Sequence, residues 1–399
     1  MNERFRFPKL DMHARFALVE FSYWFAMAVG NYQSVYLQQQ GFSASALGLI
    51  NALISAVTIA AVPLWGMLSD RLGSVRRVVL ITLAAGHLLY AFIPGVVALS
   101  GRSVAVTACW LCLTYAFRNP ANALLDNWLV FTSNQRQMNY GVIRSLGSIG
   151  FMICGLAIAG WVSRGVTATF PVDAALMALV VLQCLFIEDC AAVQRAPRER
   201  LNPRELFREH RYTTYLIFAF FGWITVNAIS AFLPYLLVEL DIPGSRYGLV
   251  SSVIAAFEIP ALVFAAWLRR RIPLQVLALL GVACYALSAL LLGCWARCFI
   301  DVLLSECLTG IGSGLLIASS ANYVYSIVPQ RLRATGQAVY TAVTALAGIL
   351  GNLAGGAVID AHGATALYLS LAVVAACAAA MFLLSLALHR RADEQEALG

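Results

Sequence analysis

The feature that most constrains this chain is its series of long apolar segments. Soluble domains carry about 25% charged residues, whereas this 399-residue chain has 12% charged and 61% hydrophobic residues. These values exclude a soluble globular protein, a disordered chain and a disulfide-stapled secreted scaffold. Runs of about 20 apolar residues, each able to cross a hydrocarbon core of about 30 Å, lie near residues 14–38, 44–68, 77–97, 103–131, 142–163, 170–190, 213–238, 246–268, 273–293, 299–323, 335–357 and 364–388. The sequence therefore predicts an all-α membrane protein with twelve transmembrane helices.

The basic residues are distributed unevenly among the connections between these spans. With an even number of spans, 21 of the 27 Lys and Arg residues fall on the side of the chain termini and four on the opposite side. Because loops rich in Lys and Arg stay in the cytoplasm, we expect a multi-pass protein of the bacterial inner membrane with both termini cytoplasmic. The basic clusters form no continuous face, which argues against a nucleic-acid partner.

One charged interior segment, residues 191–212, divides the spans into six and six. The expected organisation is an N-terminal six-helix bundle (1–190), a cytoplasmic linker (191–212) and a C-terminal six-helix bundle (213–399). An internal repeat supports this division, since the GLI of residues 48–50 recurs as the GLV of residues 248–250. Two parallel six-span halves with polar residues near the bilayer midplane are typical of secondary transporters.

Two loops carry a family resemblance. Residues 66–73 (GMLSDRLG), followed by Arg76 and Arg77, are similar to the G-x-x-x-D-R-x-G-x-x-R-R loop between spans two and three of the major facilitator superfamily. Residues 328–336 (VPQRLRATG) resemble the loop between its spans ten and eleven. With the spans and the repeat, the resemblance covers nearly the whole chain and implies two pseudo-symmetric six-helix bundles.

The first of these loops is a candidate conformational latch. A carboxylate at a cytoplasmic helix end can accept hydrogen bonds from helix N-terminal N–H groups and pair with Arg. Charges that only set topology would explain the Arg residues but not the Gly-Asp-Arg-Gly spacing. The latch residues predicted in this way are Gly66, Asp70, Arg71, Gly73 and Arg77.

Asp126 and Arg144 lie inside predicted spans and are expected to pair. Each is nine residues from Gln135 in the intervening loop, so antiparallel helices place them at similar depth, where they can share the cost of desolvation. Arg118 and Asn122 precede Asp126 at helical spacing and complete one polar stripe. Ionisable side chains inside a membrane are costly and commonly functional, so these residues are candidates for substrate contact. The alternative is a purely structural ion pair.

Residues 139–151 (NYGVIRSLGSIGF) narrow the resemblance to the branch that contains lactose permease, the nucleoside/proton symporters and the phenylpropionate transporter. In lactose permease an acidic residue late in helix four and an Arg early in helix five bind the sugar hydroxyls. Asp126 and Arg144 stand at those places, which implies substrate binding. Phe151 replaces the Trp that stacks on the galactose ring, so galactoside specificity does not follow.

Glu258 and Glu306, in spans eight and ten, are candidates for proton coupling. An isolated carboxyl group in a low dielectric favours its protonated form, so it can load and release a proton as water access alternates. Members of the branch have an acidic residue at the position of Glu258, and the alternative is a carboxyl silently paired to a neighbouring span. Glu306 precedes Thr309, where relatives often have His, and coupling through Glu306 stays open.

Spans one and seven contribute candidates that line a central cavity. Glu20 shares a helix face with two of them, and plain helix packing explains the aromatic residues equally well. His87 in span three is expected to be a hydrogen-bonded packing residue. The cavity candidates are Trp24, Asn31, Trp223 and Asn227.

These patterns predict a proton-coupled symporter that imports a sugar, a nucleoside or an aromatic acid by alternating access. We expect no catalytic activity, no metal and no cofactor besides the proton gradient, with solute, protons and lipid as partners of a monomer. The alternative is a proton-coupled efflux antiporter for drugs or metabolites. Residues 147–155 (GSIGFMICG) lack the Pro found in helix five of many exporters, which favours uptake.

Overall fold

A computed structural model describes residues 11–189, 206–207 and 209–396, and this part of the chain is helical without strands. The first eight helices are α1 (Met12–Gly30), α2 (Gln33–Gln39), α3 (Ala44–Leu72), α4 (Val75–Ala91), α5 (Ile93–Leu99), α6 (Val104–Arg136), α7 (Tyr140–Val162) and α8 (Thr169–Leu185). The other six are α9 (His210–Glu239), α10 (Tyr247–Leu268), α11 (Leu274–Cys294), α12 (Phe299–Ile327), α13 (Arg333–His362) and α14 (Ala364–Glu396).

Each of the twelve predicted spans coincides with one of these helices or with a consecutive pair. Among the described residues, nine helices are long and apolar enough to cross a membrane, and α4 with α5, bent by 40°, makes a tenth. Neither α1 nor α6 is among the nine. These two helices contain Glu20, Arg118 and Asp126, and charged side chains lower the hydropathy of a span. The predicted fold class is confirmed.

The first predicted span is interrupted. Helix α1 ends at Gly30 and α2 begins at Gln33. The hydroxyl of Tyr90 donates a hydrogen bond of 2.5 Å to the carbonyl oxygen of Gly30, and such a donor satisfies a carbonyl at a helix end. The sequence places Glu20, Trp24 and Asn31 on one face of a single helix, and the structure corrects this, because α1 ends before Asn31.

The described residues form two compact units. The first contains residues 11–32 and 60–189, and the second contains residues 33–59 and the described residues from 206 onward. Residues 33–59, expected in the N-terminal bundle, therefore group with the second unit. Most of the predicted linker 191–212 lies outside the described residues.

Helix pairing repeats between the units. In the first unit α1 packs against α7 and α8, and α4 packs against α6 and α8. In the second unit α9 packs against α13 and α14, and α11 packs against α12 and α14. The four pairings correspond helix by helix, as expected for the internal repeat.

Hydrogen bonds hold the start of α3 in place within the second unit. The Asp360 carboxylate accepts from the backbone N–H groups of Ala44 and Ser45, each at 2.9 Å. The Tyr235 hydroxyl donates to the carbonyl oxygen of Phe42 at 2.7 Å. Since the N–H groups of a first helical turn have no partner within the helix and carry positive potential, Asp360 stabilises this end of α3.

Candidate functional site

Asp126 of α6 and Arg144 of α7 form an ion pair in the first unit. The Nε atom of Arg144 lies 3.6 Å from Oδ1 of Asp126, and the two side chains are 29% and 34% exposed. A guanidinium has five N–H donors and a carboxylate accepts several hydrogen bonds. The pair therefore retains hydrogen-bonding capacity toward a molecule arriving from its exposed side.

Trp24 of α1 lies against this pair. The Cζ atom of Arg144 is 4.3 Å from the centre of the indole ring, a distance at which a cation is attracted to an aromatic face. The indole Nε1 donates to Oε2 of Glu20 at 3.2 Å. We call Glu20, Trp24, Asp126 and Arg144 the Arg144 cluster. Phe151 lies at its edge, with its ring centre 6.5 Å from that of Trp24.

Two glycines of α7 allow α1 to approach closely enough for these contacts. A Cβ atom at Gly147 would overlap the indole of Trp24. A Cβ atom at Gly150, one turn further, would lie 2.5 Å from the carbonyl oxygen of Phe21. Because Arg144 lies one turn before Gly147, this approach places the indole beside the guanidinium.

The two asparagines predicted for the same site differ in position. Asn122 is half-buried one turn before Asp126 in α6, so it lies on the same helix face. Asn31 follows the last residue of α1, roughly 16 Å along the helix axis from Glu20. Asn31 is therefore not part of the Arg144 cluster.

Arg118 lies in a different environment. Its Nη2 atom is 3.2 Å from Oδ1 of Asp173, and His87 Nδ1 is 2.7 Å from Oδ2 of the same carboxylate. All three side chains are buried, and Arg118 Cζ lies 3.9 Å from the ring centre of Tyr90. The prediction that Arg118 lies in one polar stripe with Asp126 is therefore wrong. The carboxylate of α8 holds the guanidinium inside the helix bundle.

Asp173 is the residue that the sequence patterns missed. It lies near the start of the sixth span, where an acidic side chain is easily assigned to the membrane surface. An acidic residue within a 20-residue apolar run was the available signal. We call Arg118, Asp173 and His87 the buried triad; the hydrogen bond of His87 agrees with its expected packing role.

The two candidate carboxyl groups of the second unit have different surroundings. Glu258 of α10 is half-buried, and the Ser313 hydroxyl donates to its Oε2 atom at 2.6 Å. Glu306 of α12 is 0% exposed, and neither of its carboxylate oxygens has a hydrogen-bond partner among the described residues. Its neighbour Thr309 is hydrogen-bonded to Ser288 at 2.9 Å.

The polar side-chain atoms of Trp223 and Asn227 in α9 form hydrogen bonds within the second unit. Trp223 Nε1 donates to the hydroxyl of Tyr340 at 3.0 Å, and Asn227 Nδ2 donates to the carbonyl oxygen of Trp223 at 2.7 Å. A cavity of about 1110 Å³ opens between α9, α11, α12 and α14, with Arg211 and Tyr323 in its wall. Neither Trp223 nor Asn227 lines that cavity.

The loop with the predicted latch residues joins α3 to α4. Gly73 has a φ of +59°, which permits its tight turn. Asp70 is exposed and its side chain forms no ion pair among the described residues, while Arg71 and Arg77 are also exposed. The space beside Gly66 is open as well, since no atom would lie within 4 Å of a Cβ placed there.

In the first unit the acidic group at the N-terminus of α4 is Asp189. It accepts the Ser74 hydroxyl, and also the backbone N–H of Arg76 at 3.0 Å. The Asp70 side chain was predicted to accept from helix N-terminal N–H groups, and at α4 the structure gives this role to Asp189. Asp189 comes just after the end of α8, so the residues that follow one helix cap the start of another.

The hydrogen bonds of Asp189 predict that substitutions at Asp189 and Asp70 have different effects on the stability of the protein. We expect Asp189→Ala to lower the free energy of unfolding by about 1 kcal/mol, the usual value for a lost helix cap. Asp70→Ala should leave stability unchanged. Thermal unfolding of both variants in detergent checks this, and equal losses in the two would contradict the assignment.

Comparisons with known proteins agree with the membrane-transporter fold. Residues 18–370 match the model of the MFS_1 like family. Maltose permease of Geobacillus stearothermophilus is 27% identical over 406 residues, which cover 99% of this chain and 100% of that protein. The uncharacterized transporter YwbF of Bacillus subtilis (strain 168) is 26% identical over 363 residues, 84% of each chain. The crystal structure of the nucleoside transporter NupG matches with a TM-score of 0.81 at 15% identity, over 94% of this chain and 98% of that one.

Proposed function

The chain belongs to the MFS_1 like family and is a multi-pass membrane transporter, and from this premise we propose that it is a proton-coupled symporter. It imports a small organic solute, such as a sugar, a nucleoside or an aromatic acid, by alternating access between two six-helix bundles. The observation that carries the proposal is the partly exposed ion pair of Asp126 and Arg144 beside the indole of Trp24.

The Arg144 cluster has the chemistry to recognise a hydroxylated solute. The Asp126 carboxylate accepts hydrogen bonds from hydroxyl groups, and the Arg144 guanidinium donates to oxygen atoms. Trp24 and Phe151 supply apolar ring surface, against which the faces of a sugar or a nucleobase pack. The similarity to a maltose permease supports a polyhydroxylated solute.

Glu258 is the proposed proton-coupling residue, with Glu306 as the second candidate. Glu258 is half-buried, its carboxylate accepts a hydrogen bond from the Ser313 hydroxyl, and no Lys or Arg lies within ion-pair distance of it among the described residues. A proton that crosses about 100 mV releases about 2.3 kcal/mol. This corresponds to roughly 50-fold accumulation of a neutral solute.

The proposal includes an orientation and a latch. The excess of Lys and Arg on the side of the termini supports an inner-membrane protein with both termini in the cytoplasm. The exposed Asp70 carboxylate, next to Arg71, is available to accept hydrogen bonds in another conformer, with Gly66, Gly73 and Arg77 shaping the loop.

Proton coupling is tested by Glu258→Gln in proteoliposomes. For the wild-type protein we expect maltose or uridine to enter faster when the external medium is acidic, and we expect Glu258→Gln to remove this effect. Glu188→Gln is the matched control, because Glu188 is an exposed carboxylate that pairs with Arg136 at the surface. An unchanged gradient effect in Glu258→Gln would refute the role of this residue. Accumulation only under the reversed gradient would indicate the efflux antiporter.

A further inference from the structure

Glu20 is a buried carboxyl group of the Arg144 cluster to which the proposed function gives no role of its own. It lies in the middle of α1, one turn before Trp24, and is 1% exposed. Its Oε2 atom accepts a hydrogen bond from the neutral indole N–H of Trp24. No Lys or Arg lies within ion-pair distance of its carboxylate among the described residues.

Several titratable groups surround Glu20 on the helices packed around it. Tyr23 is on its own helix, and the neighbouring helices contribute Asp126 from α6, Tyr140 and Arg144 from α7, and Cys184 from α8. Arg144 is the only cation in this set. Two carboxyl groups, Asp126 and Glu20, therefore lie near one guanidinium, and only Asp126 is paired with it.

One guanidinium in the Arg144 cluster can compensate only one buried negative charge. A guanidinium can compensate one carboxylate in a low dielectric, and a second uncompensated carboxylate is strongly disfavoured. Asp126 holds the ion pair with Arg144 and is one-third exposed. Glu20 has neither advantage, so the stable form of the cluster has the proton on Glu20.

We propose that protonation of Glu20 assembles the solute site, so that the first unit itself links proton binding to solute binding. With the proton bound, Glu20 is neutral and leaves Arg144 to Asp126 and the solute. Without it, the Glu20 carboxylate competes for Arg144 and draws the guanidinium away from Asp126. Solute affinity then depends on the proton at Glu20, whereas the proton that is transported stays assigned to Glu258. The inference rests on the proposed function and adds a positioning role for Glu20.

The charge balance also favours one class of solute. With Glu20 protonated, Asp126 and Arg144 cancel, and the cluster is electrically neutral. A neutral hydroxylated solute binds there without changing the net charge of the site. The carboxylate of an aromatic acid would have to displace Asp126 from Arg144 or add an uncompensated negative charge.

Infrared spectroscopy tests the protonation of Glu20 without any solute. At pH 7 we expect a C=O band of protonated buried carboxyl groups in the wild-type protein, and a difference spectrum against Glu20→Gln that shows the loss of the component from Glu20. Asp126→Asn should also lose this component, because Arg144 becomes available to Glu20 and favours its ionised form. Glu188→Gln should match the wild type. A Glu20→Gln spectrum equal to the wild-type spectrum would overturn the proposal, and so would this component retained in Asp126→Asn.

Binding measurements test the link to the solute. We expect the affinity of the wild-type protein for maltose or uridine to fall tenfold for each pH unit over which Glu20 loses its proton, and that of Glu20→Gln to stay constant. A wild-type protein without any effect of a proton gradient on uptake would contradict the proposed proton coupling. A Glu20→Gln protein that keeps the wild-type pH dependence of affinity would contradict only the role of Glu20.

Discussion

Replacing Arg144 by lysine is expected to weaken binding of maltose or uridine by roughly 30-fold or more. A hydrogen bond to a charged group contributes about 1.5–3 kcal/mol, and 2 kcal/mol corresponds to roughly 30-fold in affinity. Lysine retains the charge but loses the planar guanidinium that faces Asp126 and covers the indole of Trp24. Equilibrium binding in detergent measures the loss directly.

Arg136→Lys is the matched control for this substitution. Arg136 pairs with Glu188 on the surface of the same unit, and an exposed ion pair contributes little. Its variant should bind as the wild type does. Affinity in Arg144→Lys within threefold of the wild type would show that the guanidinium does not contact the solute.

The second large effect is expected on stability. Asp173→Ala removes the carboxylate that pairs with Arg118 and His87 inside the first unit. Breaking a buried pair from one side leaves an uncompensated charge and costs about 3–5 kcal/mol. Arg118 already has two guanidinium nitrogens, Nε and Nη1, without hydrogen-bond partners among the described residues. We therefore expect a markedly lower thermal unfolding midpoint in detergent.

A double variant separates charge imbalance from loss of packing. Replacing both partners of a buried pair by apolar residues is often close to neutral, so Arg118→Met with Asp173→Leu should recover most of the stability lost in Asp173→Ala. Solute affinity should remain that of the wild type, because Arg118 is enclosed in the bundle. A folded double variant that no longer binds maltose or uridine would show that Arg118 contributes to the solute site.

The sequence prediction was accurate for features that a short continuous stretch of residues specifies. Each predicted span coincides with one helix or with a consecutive pair, since the length of an apolar run is visible in the sequence itself. The pairing of Asp126 with Arg144 was also predictable, because a single short loop joins their two antiparallel helices. The interruption after Gly30 was not predicted, since the Tyr90 hydroxyl that satisfies its carbonyl belongs to another helix.

The amino-acid order alone was sufficient for the family, the twelve spans and the residues that bring charge into the membrane. The order does not specify which buried charges meet. Asp173 lies 55 residues from Arg118, and the Trp24 indole lies against Arg144 because α1 packs on α7 at Gly147 and Gly150. Such partners depend on the rotation and distance between packed helices, and these follow from the combined fit of many side chains rather than from any local pattern.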